Sequence, residues 1–145
     1  MEMYMSLNRK ILKLLSFAQI IVSIVAIVFA VISFSRGGES AEAASSVFGM
    51  QLAASVWAMV RDASLILLAI VTIAASAAGI RGANRPSSLG SHRPLSLIGL
   101  ILGLVCCAIA FGLETIPALI IAVLLALYHI ASLIVGGRVR RELDR

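Results

Sequence analysis

The sequence predicts an all-α protein that crosses a membrane four times, as a four-helix transmembrane bundle. The first observation behind this prediction is composition. Of the 145 residues, 61% are hydrophobic and only 13% are charged, whereas soluble domains average about half and about a quarter. The second is pattern, because the apolar residues form four long runs between short polar segments. A run of about 20 apolar residues is long enough to cross the hydrocarbon core as a helix.

The whole chain is predicted to be one integral membrane domain, with spans at about residues 11–34, 63–80, 95–113 and 117–135. Pro94 precedes the third span, as suits a helix start. A tight turn should join the last two spans, with Thr115 as a candidate N-cap and Pro117 in the first turn of the helix. Gly136 and Gly137 predict the end of the fourth span.

The first apolar run has a rival interpretation as a secretory signal peptide. Basic residues precede it, and the small residues at 40–43 resemble a cleavage region. The apolar part of a signal peptide is only about 7 to 15 residues long. The run from Ile11 to Phe34 is longer and three more apolar runs follow, so an uncleaved first span is favoured.

Segment 35–62 is predicted to form an extra helical segment on the outer side of the membrane. Residues 41–60 are helix-forming but only moderately apolar, which favours a helix on the membrane surface with Trp57 near the headgroups. A break is expected at Arg61, so that Asp62 can cap the second span. The alternative is one helix that rises above the membrane and is continuous with that span. The predicted apolar face comprises Phe48, Leu52, Val56, Met59 and Val60.

The distribution of positive charge predicts the orientation. The loop at 81–94 carries Arg81, Arg85 and Arg93, and further Lys and Arg residues precede the first span and follow the last. Only Arg36 and Arg61 of the 12 Lys and Arg residues lie in the segment between the first two spans. Basic segments near span ends stay in the cytoplasm, which predicts that both termini and this loop are inside. Its three arginines are expected to contact lipid phosphates, and no polar face indicates nucleic acid.

Small and polar residues recur at three- and four-residue steps in every span and form one seam on each helix. Interfaces between helices in lipid collect such residues because they allow close approach. The seams should therefore face a common core, although pairwise packing or homodimerisation would use the same residues. The predicted packing contacts are Gly99, Gly103, Ala118, Ala122 and Ala126. The complete seams are Ser16, Gln19, Ser23, Ala26, Ala30 and Ser33; Leu65, Ala69, Thr72, Ser76 and Gly79; Ser96, Gly99, Gly103, Cys106 and Ala110; and Ala118, Ala122, Ala126 and His129.

Gln19, Thr72 and His129 are predicted to form a polar layer, together with Gly103, at a depth of roughly 9 to 12 Å from the inner ends of the spans. Gln19 and His129 are costly to bury in hydrocarbon, so a hydrogen bond between them is expected. One interpretation makes His129 a proton relay or a ligand contact. The other, favoured because no buried carboxylate accompanies it, is a neutral histidine that fixes the helix register.

No residue pattern indicates catalysis, a cofactor or a metal. Cys106 and Cys107 are adjacent inside an apolar run, which favours packing over redox chemistry. His92 is expected in the inner loop and His129 in the membrane, and no Asp or Glu accompanies either, so the sequence indicates neither a zinc site nor a catalytic triad. The glycines at 79–90 lack the G-K-[ST] ending of a nucleotide loop.

The pattern A-A-G-I-R-G-A-N-R-P-S-S-L-G at 77–90, followed by L-S-L-I-G-L-I-L-G-L from Leu95, resembles small four-span proteins of Gram-positive and actinobacterial genomes. The resemblance implies a bacterial cytoplasmic membrane and no particular activity. The expected function is noncatalytic: an accessory, scaffold or self-associating membrane component whose partners are the lipid bilayer and either further copies or another membrane protein. The alternative is a small oligomeric channel, transporter or holin, although the scarcity of charge inside the spans argues against ion-coupled transport by a single subunit.

Overall fold

The computed structural model describes residues 6–36, 44–47 and 49–143. The predicted fold class, an all-α four-helix bundle, is confirmed. Each of the four helices is long and apolar enough to cross a membrane, which is the architecture of a multi-pass membrane protein. The elements are α1 (Leu7–Ser35), β1 (Ala44–Val47), β2 (Met50–Ala53), α2 (Ala54–Asn84), a 3₁₀ helix (Pro86–Ser91), α3 (His92–Gly112) and α4 (Ile116–Leu143).

The four helices form a closed ring. Each packs against its neighbour in the chain, α1 also packs against α4, and α2 touches α4 across the bundle. The Ser6 hydroxyl donates to the Glu142 carboxylate at 2.7 Å, which places the start of α1 beside the end of α4. Arg9 donates to the carbonyls of Ala83 and Asn84 and so satisfies open carbonyls at the end of α2. We call this the basic end and the opposite one the hairpin end.

The seams of all four helices face the bundle axis. Every predicted seam residue is buried except Ser33, which is partly exposed. The hairpin half of the axis is filled by apolar side chains, which we call the alanine–leucine plug. Its members are Ala26, Ala30, Leu65, Leu68, Ala69, Cys106, Ala110, Ala118, Ile121, Ala122 and Leu125.

The predicted packing residues lie where α3 meets α4. A Cβ atom added at Gly103 would be 3.2 Å from the Cβ of Ala126, and one added at Gly99 would overlap the ring of His129. Ala118 and Ala122 are fully buried. The G-x-x-x-G pair is therefore occupied within the chain, where it allows two of the chain's own helices to approach closely.

The segment between α1 and α2 differs from the prediction. Residues 37–43 and Phe48 lie outside the described part of the chain, whereas strands β1 and β2 pair antiparallel with Val47 opposite Met50. Gly49 in the connection has a φ of 76°, a backbone conformation that glycine adopts without strain. The helix expected over 41–60 is observed only from Ala54 onward.

Helix α2 continues through Arg61 and Asp62, so the break predicted there is wrong and the alternative of one continuous helix is observed. Its 31 residues span about 46 Å, which exceeds a hydrocarbon core of about 30 Å. Trp57, expected near the headgroups, is buried in the protein with 4% exposed.

Arg61 joins three elements at the hairpin end. Its guanidinium forms an ion pair with Asp62 at 2.8 Å, donates to Thr115 at 3.1 Å and also donates to Ser33. Asp62 is therefore a buried partner of the partly buried Arg61 and not a helix cap. Because Arg61 lies level with the end of α1 and with the α3–α4 turn, residues 54–60 extend about 10 Å beyond them.

The α3–α4 turn is a Schellman motif. The amide of Thr115 donates to Ala110 and the amide of Glu114 donates to Phe111, which is the paired pattern of this helix ending. Glu114 has a φ of 54°, in the left-handed region that usually favours glycine. Thr115 holds the N-cap position of α4, with Pro117 in the first turn as predicted.

The helix end predicted at Gly136 and Gly137 is wrong, because α4 continues through both glycines to Leu143. Helix α3 begins at His92, which places Pro94 in its first turn. At Gly136 a Cβ would be 3.1 Å from the His92 ring. This glycine therefore accommodates a side chain of another helix and does not end its own.

Candidate functional site

Polar side chains fill the bundle axis between the alanine–leucine plug and the basic end, and we call this cluster the polar core. All four helices contribute to it, and each member is at most 1% exposed. Burying a polar group away from water is costly unless it forms hydrogen bonds. The members are Ser16, Gln19 and Ser23; Thr72 and Ser76; His92 and Ser96; and His129 and Ser132.

His129 of α4 is held by Thr72 of α2. The Thr72 hydroxyl donates to the Leu68 carbonyl at 2.7 Å, so its single proton is used there. The contact of 2.9 Å between Thr72 Oγ1 and His129 Nε2 is therefore one in which Nε2–H donates. This fixes the neutral tautomer and leaves Nδ1 as an acceptor, which has no partner.

Gln19 of α1 reaches two other helices. Its side-chain oxygen lies 3.2 Å from the Ser76 hydroxyl and 3.3 Å from the Ser132 hydroxyl, while Nε2 has no partner. Ser76 also donates to the Thr72 carbonyl at 2.7 Å. Because Ser76 has one proton, rotating the amide by 180° would let Nε2 donate to both serines and leave the oxygen open. In either orientation one polar atom of Gln19 is unsatisfied.

His92, the first residue of α3, lies between α2 and α4. Its Nδ1 donates to the Ala75 carbonyl at 3.0 Å, and its ring is close to two glycines. A Cβ at Gly79 or at Gly136 would come within 3.1 Å of a ring carbon. Since Nδ1 carries the proton, Nε2 is an acceptor, and it has no partner.

Five buried polar atoms of the polar core have no hydrogen-bond partner, which is unusual because most such atoms are paired. They belong to three helices and lie around one part of the bundle axis. The chemistry available to this site is the binding of a small polar group or the passage of a proton. The atoms are Ser16 Oγ, Gln19 Nε2, His92 Nε2, Ser96 Oγ and His129 Nδ1.

Comparisons of the chain with protein-family models, with curated proteins and with solved structures find no match. The site is therefore interpreted from its own geometry. In the described part of the chain, no three His, Cys, Asp or Glu side chains come together as a metal site would require. Cys106 is buried in the plug and Cys107 is partly buried beside it, both as free thiols.

The structure brings together part of the predicted polar layer. Thr72 and His129 are in direct contact. Gln19 lies in the same core but bonds to Ser76 and Ser132, and the expected bond between Gln19 and His129 is not formed. The predicted layer is therefore divided into one hydrogen-bonded group around His129 and another around Gln19. Each of these two side chains has one polar atom without a partner.

His92 is the residue that sequence reasoning placed wrongly. It was expected in the inner loop, but it is 1% exposed and faces the bundle axis. A usable signal was present in the seams. Gly79 ends the seam of the second span, and Gly136 lies seven residues after His129, in line with the seam of the fourth. These two glycines leave space for a large side chain from another helix, and His92 is the side chain that fills it.

The three arginines predicted to contact lipid headgroups are all exposed at the basic end. Arg93 lines a groove between α3 and α4. Arg81 donates to the Ala77 carbonyl of its own helix at 3.3 Å, and Arg85 follows the last residue of α2. Of the three, Arg93 is the one that lines this groove.

Proposed function

We propose that this chain is a noncatalytic accessory or scaffold protein of a larger membrane assembly. The observation that carries the proposal is the projection at the hairpin end. Residues 54–60 of α2 extend beyond the level of Arg61, and together with strand β2 they present exposed apolar side chains. Met50 is 55% exposed, Val56 41% and Met59 52%. Such side chains suit contact with another membrane protein.

The closed bundle supports the same proposal. The small-residue seams are occupied between the chain's own helices, so further contacts would be made by the lipid-facing surfaces and by the projection. The alanine–leucine plug also fills the axis on the hairpin side of the polar core. In the described residues, a single chain therefore offers no continuous polar route along its axis.

Photo-crosslinking tests this role in native membranes. A photoreactive amino acid at Met59 should yield one discrete adduct with a membrane protein, and Val56→Ser should reduce its yield by about tenfold if the contact is apolar. The matched control is the same amino acid at Leu104, which is 58% exposed on the side of α3 and should crosslink to lipid. Adducts at Met59 that match those at Leu104 would refute the proposal.

A second candidate is a small oligomeric transporter or channel, which the five unpartnered atoms of the polar core favour. Polar groups inside membrane spans often line a path for a substrate or an ion. Reconstituting the purified chain in liposomes and measuring proton and small-solute flux distinguishes the two candidates. Flux that is lost in Gln19→Leu would favour transport, and its absence would favour the accessory role.

We further propose that the basic end faces the cytoplasm of a bacterial cell, because basic segments resist translocation. Ser88 is exposed in the 3₁₀ helix at this end. In a background without Cys106 and Cys107, Ser88→Cys should react with a membrane-impermeant maleimide only after the cells are opened. Labelling of Ser88→Cys in intact cells would show that the basic end faces outward and would refute the proposed orientation.

A further inference from the structure

A groove of about 730 Å³ lies between the first turns of α3 and the last turns of α4. Its volume is in the range of sites that bind small molecules, about 300 to 1,000 Å³. It begins at the polar core and opens at the basic end. Its lining residues are Leu89, His92, Arg93, Leu97, Ser132, Leu133, Ile134, Gly136, Gly137, Arg138, Arg140 and Arg141.

The mouth of the groove is strongly positive. Four arginines line it, namely Arg93, Arg138, Arg140 and Arg141, and no Asp or Glu is among its lining residues in the described chain. Glu142, the nearest acidic residue along α4, is bonded to Ser6 and Asn8. Guanidinium groups bind phosphate through paired hydrogen bonds, so a phosphate group fits this mouth.

The wall below the arginines is apolar. Leu97 and Ile134 each lie four residues further into the bundle than Arg93 and Arg138, respectively, which is about 6 Å along a helix. Both side chains are about half exposed, at 50% and 53%. A ligand that fits both parts has a phosphate at one end and hydrocarbon at the other, as a phospholipid does.

His92 adds a polar contact at the base of the groove. Its Nδ1 donates to Ala75, which leaves Nε2 as a buried acceptor without a partner. A Cβ at Gly136, which lines the groove, would be 3.4 Å from this nitrogen. Because His92 and Gly136 both line the groove, this buried acceptor lies at its base, where a hydroxyl group of a ligand would satisfy it.

We propose that this groove is a binding site for an anionic phospholipid whose headgroup carries a hydroxyl group, with the chemistry of a glycerol phosphodiester. The arginines hold the phosphate, Leu97 and Ile134 contact the acyl chains, and His92 Nε2 accepts from the headgroup hydroxyl. The site is independent of the accessory role, because it involves the opposite end of the bundle from the projection.

Retention of phosphatidylglycerol by the purified chain in detergent, measured by native mass spectrometry, tests the site. Gly137 lines the groove, and a Cβ there would meet no atom within 4 Å, so Gly137→Leu should fill the groove without displacing the helices. We expect binding to weaken by about tenfold or more. The control is Gly90→Leu, where a Cβ also meets nothing and which lies outside the groove; its binding should match the wild type.

A charge-matched pair of variants separates the site from general attraction to a basic surface. Arg138→Gln with Arg141→Gln should weaken binding by about tenfold, whereas Arg81→Gln with Arg85→Gln removes the same charge outside the groove and should change it little. Equal losses in the two double variants, or equal retention by Gly137→Leu and Gly90→Leu, would overturn the proposal.

Two further binding experiments identify the chemistry of the ligand. Phosphatidylmethanol has the same charge but no headgroup hydroxyl, and the wild type should bind it several-fold more weakly than phosphatidylglycerol because His92 Nε2 stays unpaired. Equal binding of the two lipids would overturn the assignment to His92. Soluble glycerol phosphate at the concentration of the lipid should not displace it; displacement would show that the ligand is a free phosphate ester and not a lipid.

Discussion

The contact between Gly99 and His129 gives the sharpest test of the packing. Replacing Gly99 with Ala adds one methyl group, which would overlap the imidazole ring. The ring must then move away from Thr72, to which it donates at 2.9 Å. A substitution that is mild elsewhere on a helix should therefore destabilise this bundle.

The size of the effect follows from three contributions. Overpacking costs about 1 to 3 kcal/mol, and loss of a hydrogen bond between membrane helices costs on average about 0.6 kcal/mol. The higher helix propensity of alanine offsets about 1 kcal/mol of this. Gly137→Ala should gain only the helix propensity of alanine, because its Cβ meets no atom within 4 Å. The two variants should thus differ by about 2 to 4 kcal/mol in free energy of unfolding.

Unfolding in mixed micelles, followed by circular dichroism, measures the difference. A double-mutant cycle with His129→Ala adds the decisive control, since removing the ring should make Gly99→Ala harmless. If Gly99→Ala is as stable as Gly137→Ala, or if its cost persists without the ring, the described packing of α3 against α4 is incorrect.

Three further predictions concern other parts of the bundle. Thr72→Val should cost about 1 to 3 kcal/mol of unfolding free energy because it leaves His129 Nε2–H without an acceptor, and Thr72→Ser should restore most of it; equal stability of the two variants would contradict the hydrogen bond between Thr72 and His129. Glu114→Gly should raise the free energy of unfolding by about 1 kcal/mol by relieving its left-handed conformation, whereas Glu114→Gln should not, and a similar effect of both would point to charge instead. Arg61→Gln should cost about 3 to 5 kcal/mol because Asp62 stays buried without its ion-pair partner. Adding Asp62→Asn should recover much of that loss in the same assay, and a fully additive double variant would show that the two side chains do not depend on each other.

Much of the bundle could be predicted from the sequence because membrane helices expose a simple pattern. Small and polar residues at three- and four-residue steps point inward, as Ser16, Gln19, Ala26 and Ala30 do in α1. The pattern works because lipid supplies no hydrophobic force between helices, so close packing decides which face is buried.

The errors occurred where local signals compete with tertiary contacts. By the general rule for helix ends, Gly136 predicts a helix stop, whereas in the bundle it makes room for His92. Arg61 and Asp62 predict a break in α2, but they form an ion pair with each other, and Arg61 also donates to side chains of α1 and the α3–α4 turn. The hairpin at 44–53 mixes helix formers such as Met50 and Leu52 with the strand former Val47, so intrinsic propensity does not decide between helix and strand.

The hydrogen bonds of Gln19 have a consequence for how the chain is made. Its two partners lie on α2 and α4, and Ser132 is 113 residues further along the chain. At elongation rates of about 5 to 20 residues per second, Gln19 precedes that serine by roughly 6 to 23 seconds during synthesis. During this interval the side-chain amide of Gln19 lies in the membrane without its hydrogen bond to Ser132. Nascent chains stopped before α4 should therefore be preferred substrates for membrane proteases and insertion chaperones.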